Sequence, residues 1–155
     1  LLPDNLNALG KKIDLYRKAR AAAGFDPETG IVSLLMHTFV HPDMDWVQHV
    51  VAEPFKEYIA SSVAPQMKAL DQHFDDSEIA KIIDYSYARY FRTGGIFGPL
   101  ADCQQQIDKA IAIGVNDIAL LQDFGVEYSA VKQSLEHVKE LVNQNRESSG
   151  LSHAG

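Results

Sequence analysis

Cysteine is nearly absent from this 155-residue chain: Cys103 stands alone, so no internal disulfide can staple the fold, and an oxidising compartment is unnecessary. Positive charge is also scarce. Fourteen Lys and Arg face twenty-one Asp and Glu, a formal charge of −7, and no basic stripe is available to displace counterions from a phosphate backbone. These counts point away from nucleic acid and toward small-molecule or protein partners. No apolar run approaches the ~20 residues of a membrane helix, and no basic, then apolar, leader opens the chain. The expectation is a soluble cytoplasmic protein. P-loop, dinucleotide and Gly-x-Ser-x-Gly fingerprints are missing as well. The opening Leu1-Leu2-Pro3-Asp4-Asn5 has no initiating methionine, as expected of a piece of a longer chain.

What is present is a 46% hydrophobic composition, enough for one sizeable core. Two short apolar runs stand out, Ile31 to Val40 and Asp117 to Phe124. Val, Ile, Leu and Phe follow one another there almost without polar interruption, the pattern of parallel strands covered on both faces. Two strands do not make a sheet by themselves, so neighbouring strands are expected from elsewhere.

Helical periodicity fills the remainder. Leu6, Leu9, Ile13 and Tyr16 predict an amphipathic helix lying on the sheet, stopped by Gly24, and Phe25 to Gly30 reads as a turn. Asp43 is placed to cap a helix with Val47, Val50 and Val51 inside; Pro54 predicts a kink or restart, and Phe55, Tyr58 and Ile59 carry the stripe toward Val63. Asp75 or Asp76 caps the next helix, with Ile79, Ile83, Tyr87 and Tyr90 on one face, ending at Thr93-Gly94-Gly95. Ile96 to Pro99 reads as an apolar loop. A helix from Leu100 to Ile113 stops at Gly114, and a last one spans Tyr128 to Asn143. Residues 1–145 thus form one unit and 146–155 a flexible tail or linker. The roughly 75 residues between the strands far exceed an ordinary crossover and predict a helical insertion, about 41–98, over an active site.

Four segments, in order, carry a resemblance: Lys12 to Gly30 (KIDLYRKARAAAGFDPETG), Leu35 to Val40 (LMHTFV), Arg89 to Gly98 (RYFRTGGIFG) and Gly114 to Val126 (GVNDIALLQDFGV). The chain resembles the C-terminal part of luciferase-like flavin monooxygenases, in the branch associated with nonribosomal peptide and polyketide synthases. The resemblance implies an α/β fold, the C-terminal portion of a (β/α)8 TIM barrel with a helical insertion between its last two strands. Ile31 to Val40 would be strand seven and Asp117 to Phe124 strand eight, and the six strands upstream would supply much of the flavin cradle. It further implies reduced FMN, delivered by a separate reductase, and O2 as reactants that oxygenate a small-molecule or carrier-bound substrate. One departure is visible: the family's Thr-Pro-Glu after the loop glycine is Pro99-Leu100-Ala101 here.

Barrel enzymes work at the C-terminal ends of their strands, which on this chain means His37, Thr38 and His41, then Gln122 and Asp123. His37 either points toward a flavin or is a packed core histidine. Asp123 either binds ligand hydroxyls or caps the last helix. Arg89 and Arg92, beside the backbone of Gly94 and Gly95, either hold a phosphate or make surface ion pairs. Gly94, Gly95 and Gly98 around Ile96-Phe97 predict a hinged apolar lid. Six histidines do not make a metal site: His37 and His41 lie about 13 Å apart along a strand at ~3.3 Å per residue. Cys103 reads as a small buried apolar residue. The partners expected are the missing N-terminal barrel half or an oligomer partner, and the rival expectation is a non-enzymatic α/β interaction module whose exposed sheet edges pair with another chain.

Overall fold

A computed structural model describes residues 6–69 and 75–148, with the side chains of 63–69 and 148 excluded. Leu1 to Asn5, the side chain of Val63 and the tail 149–155 lie outside the described residues. The elements run α1 (Leu6–Ala22), a 3-10 turn at Pro27–Thr29, β1 (Ser33–Val40), α2 (Met44–Ala69), α3 (Asp76–Thr93), β2 (Ile96–Gly98), α4 (Leu100–Ala112), β3 (Asp117–Leu121) and α5 (Tyr128–Ser148). The protein is α/β, with one parallel sheet of order β2-β1-β3.

The predicted boundaries have visible causes. Gly24 and Gly114 take φ of +83° and +95°, the left-handed conformation that ends a helix at little cost only for glycine. Asp43 accepts the Trp46 N–H at the start of α2. At α3 it is Asp75 that caps, in a reciprocal box with Glu78.

Several expectations need correction. Ile96 to Gly98 is not a lid loop but strand β2, in register with Thr38 to Val40, so the helical part of the insertion ends at Thr93. A three-residue strand is too short for a readable period, and the turn chemistry of Gly94-Gly95 and Pro99 masked it. The helix does not restart at Pro54, since α2 runs unbroken from Met44 to Ala69. Arg146 to Ser148 belong to α5 rather than to a tail. Finally, the apolar runs are not covered throughout. β1 is buried from Met36 to Val40, but Ser33 and Leu35 are exposed, and in β3 Asp117 and Ala119 are exposed.

The strand faces explain this. Leu34, Met36, Val40, Ile96, Ile118 and Leu120 pack with Cys103 and Ile107 of α4 and Val138 and Leu141 of α5. The opposite face is covered only at its C-terminal half, where Phe39 and Phe97 meet Val47, Val51, Phe55 and Ile59 of α2, Tyr90 of α3 and Phe124. The first helix does not lie across the sheet as predicted. Ile13 and Leu9 rest on the end of α4 and on Val32, Leu34 and Val115 at the sheet's N-terminal end, while Arg17 donates to Pro27 O, Gly30 O and Asn116 Oδ1.

Candidate functional site

The C-terminal half of β1 places two chemically distinct groups side by side. Residue 37 faces α2 and α3, and residue 38 faces α4 and α5, because neighbouring strand residues point to opposite faces. Thr38 is fully buried and donates to Met36 O at 3.0 Å. It therefore satisfies itself locally and shares no cavity with His37.

His37 is 8% exposed and enclosed by four rings. Phe55, Tyr58, Tyr90 and Phe124 have centroids 5.0, 4.8, 5.5 and 5.7 Å from the imidazole, all edge-on. Nδ1 lies 2.8 Å from the Tyr90 hydroxyl, and Nε2 is buried with no hydrogen-bond partner. If the phenol donates to Nδ1, an Nε2–H is left without an acceptor. If Nδ1–H donates to the phenol, Nε2 is a bare acceptor. One ring nitrogen is idle in either tautomer. Burial in this apolar box penalises the charged ring and lowers the His37 pKa to about 4, and burial likewise pushes the Tyr90 phenol up to about 12. The pair is neutral across the physiological range.

A second cluster lies at the rim, just beyond β1. His41 Nδ1 accepts the Asp43 N–H at 3.2 Å. Its ring tilts against Trp46 at 4.3 Å, and His137 of α5 meets it edge-on at 5.4 Å. Nearby, the buried Ser134 hydroxyl accepts the Val40 N–H at 2.8 Å, and Gln122 Nε2 lies 3.4 Å from the same oxygen. That hydroxyl takes the last strand donor of β1. Ser134→Ala is expected to leave the Val40 N–H buried without an acceptor and to cost about 1–3 kcal/mol in urea unfolding; a loss of only a few tenths would show that another acceptor replaces the hydroxyl.

The remaining candidates do not converge. Arg89 and Arg92 are exposed at the end of α3, with Arg92 Nε donating to Ala88 O at 3.1 Å. Successive helical residues point ~100° apart, so the inward Tyr90 turns both arginines outward. The Gly94 N–H is engaged by Tyr90 O at 2.8 Å. A Cβ on Gly94 would lie 2.7 Å from the Tyr90 ring, and one on Gly95 2.2 Å from the Phe97 ring; these glycines make room for two rings. Asp123 is exposed in the turn after β3. Cys103 donates to Gly98 O at 3.3 Å, and burial raises its thiol to about 12, so it is not a nucleophile at neutral pH. Among the described residues, no group of three His, Cys, Asp or Glu could hold a metal ion, and no helix is long and apolar enough to cross a membrane.

Sequence reasoning missed Tyr58, Tyr90, Phe124, Ser134, Trp46 and His137 as site residues. Tyr90 was legible only as one position of an apolar stripe, since a phenol that packs inward and one that ligates look alike in sequence.

FMN requires a slot for its three fused rings and cationic or backbone donors for its phosphate. The idle nitrogen of His37 and the His41 rim could form one wall of such a slot. The rings of Phe55, Tyr58 and Phe124 fill the space beside the imidazole, and both arginines face away, so these residues alone do not make an FMN cradle. In comparison with known proteins, the chain matches no family model and no curated protein.

Proposed function

We propose that the chain is the C-terminal part of a luciferase-like FMN-dependent monooxygenase barrel in natural-product biosynthesis, with β1 as strand seven and β3 as strand eight. Such an enzyme would take reduced FMN from a separate reductase and oxygenate a small or carrier-bound substrate in the cytoplasm. The observation that carries the reading is the unfinished parallel sheet. Strands β1 and β3 lie side by side with Ser33 opposite Asp117 and His37 opposite Leu121, and the far edge of β3 pairs with no strand among the described residues. Parallel sheets are normally covered on both faces and continued by crossovers. The order of the four resembling segments supports the same reading.

In this account the group that binds FMN is assembled only when upstream strands are present. The 155-residue chain titrated with FMN is therefore expected to leave flavin fluorescence unchanged. The same chain extended upstream by its six further strands is expected to bind one FMN and, with a flavin reductase, to consume O2. Stoichiometric binding by the 155 residues alone, or no binding by the extended protein, would sink the proposal.

The free edge of β3 also favours a second reading, a non-enzymatic α/β interaction module. Size-exclusion chromatography of the upstream-extended protein with FMN, read at flavin and protein wavelengths, separates the two: a yellow peak supports the enzyme and a colourless oligomer the module.

A further inference from the structure

A buried polar atom without a partner costs free energy that folds normally avoid, so one that persists marks a place where something else supplies the partner. His37 Nε2 is such an atom. The side chain is 8% exposed, Nδ1 is taken by the Tyr90 hydroxyl at 2.8 Å, and Nε2 has no hydrogen-bond partner. The four rings that enclose the imidazole all belong to this chain, and three of them are fixed. Phe55, Phe124 and Tyr90 are 0, 3 and 4% exposed. Phe55 and Phe124 pack on each other and on Phe97, and the Tyr90 ring is backed by Gly94, where a Cβ would come within 2.7 Å of it. The fourth ring, Tyr58, is only half-buried. It stands edge-on to the imidazole at 4.8 Å and lies parallel to Phe55, 5.9 Å away at an interplanar angle of 10°. A side chain that reaches solvent changes rotamer without moving backbone, whereas the close-packed rings around it do not.

We infer that Tyr58 is the movable cover of a small ligand seat, and that the seat takes a neutral hydroxy-aryl ring in place of the Tyr58 ring, with its hydroxyl on His37 Nε2. The shape that fits is shown by Tyr58 itself, a single ring with its edge to the imidazole and its face to Phe55. Charge is excluded. No ring of the box carries a charge, and burial keeps the imidazole neutral, so an ionised ligand would be buried without a counter-ion. A hydroxyl serves either tautomer, because it accepts from Nε2–H and donates to a bare Nε2. The rest of such a ligand is apolar, as the three fixed rings require. A one-ring seat is too small for the three fused rings of FMN, and the inference stands whether or not the flavin reading does. Under that reading the seat lies at the C-terminal end of strand seven, where a barrel enzyme holds its substrate.

The probe is 4-methylphenol, the tyrosine side chain as a free molecule, with toluene as its counterpart lacking the hydroxyl. In the 155-residue chain carrying isotopically labelled histidine, 4-methylphenol at millimolar concentration is expected to shift the His37 Nε2 resonance and to leave those of His41 and His137 in place. Tyr58→Ala removes the cover, so the energy spent on displacing it is saved, and the variant is expected to bind 4-methylphenol about tenfold or more tightly than the unmodified chain. The same variant is expected to bind 4-methylphenol in preference to toluene, because toluene leaves Nε2 unpaired; a purely apolar seat would give the opposite order. Where Tyr58→Ala does not fold, Tyr58→Leu takes its place, and the titration of the unmodified chain needs neither. A His37 Nε2 resonance indifferent to 4-methylphenol in the unmodified chain overturns the inference. So does toluene bound as well as 4-methylphenol once the cover is gone. No flavin enters these measurements, so their outcome is separate from that of the FMN titration.

Discussion

Truncating Phe55 to alanine is expected to remove about 3–5 kcal/mol of folding stability, a large share of the ~5–15 kcal/mol of an ordinary domain. Phe55 is fully buried, and its ring centroid lies within 5.0 Å of His37 and of Tyr90, 5.3 Å of Phe124 and 5.7 Å of Phe97. It therefore joins α2 to β1, β2, α3 and the turn after β3 at one point. Alanine is a better helix former than phenylalanine, so the loss isolates the cavity rather than the helix. Phe55→Leu, which keeps much of the volume, is expected to cost far less, on the order of 1.5 kcal/mol or below. Chemical denaturation of the two variants measures the difference. A Phe55→Ala loss under about 1 kcal/mol would mean that the ring cluster collapses onto the gap and that His37 is not rigidly boxed.

The second large effect is a loss of stability in mild acid that belongs to His37. Its pKa is lowered from 6.5 to about 4 in the folded protein. Above pH 6.5 the imidazole is neutral in both states and contributes no pH dependence. Between 6.5 and 4 the unfolded chain takes up a proton that the folded chain refuses, so stability falls by up to ~1.4 kcal/mol per pH unit. The sum over that window is about 3 kcal/mol, and below pH 4 both states are charged. The groups facing the ring are Tyr58 of α2, Tyr90 of α3, Phe55 and Phe124, none of which carries a charge that could hold an imidazolium. His37→Leu is expected to flatten this limb of the stability profile while lowering the plateau, because the Tyr90 hydroxyl loses its partner. Urea unfolding of both proteins at intervals from pH 7.5 to about 4 reads the difference in slope. Identical slopes would show that the proton is accommodated in the folded box.

Both effects arise from a cluster that was only half legible. Helix starts and stops were readable because their causes are local: Asp43 and Asp75 accept first-turn donors, and Gly24 and Gly114 adopt left-handed backbone that side chains resist. His37 was readable as a candidate because a histidine interrupts an apolar strand. Its partner was not, since Tyr90 lies fifty-three residues away and shares its inward direction with Ile83 and Tyr87. Strand β2 escaped because three residues carry no period, and only pairing with Thr38 to Val40 makes them a strand.

The amino-acid order by itself determined the α/β class, the two longer strands, the caps, and the separation of apolar from polar helix faces. These follow from interactions within a few residues, where geometry is nearly fixed by residue type. Tertiary structure alone decided that β2 and β3 flank β1 on opposite sides and that Thr38 turns away from His37's partners. It also set four rings around one imidazole, turned Arg89 and Arg92 to solvent, and left the far edge of β3 without a partner strand among the described residues. Those outcomes depend on which distant surfaces meet, and burial energy of nearly the same size would have rewarded many other meetings of the same apolar residues.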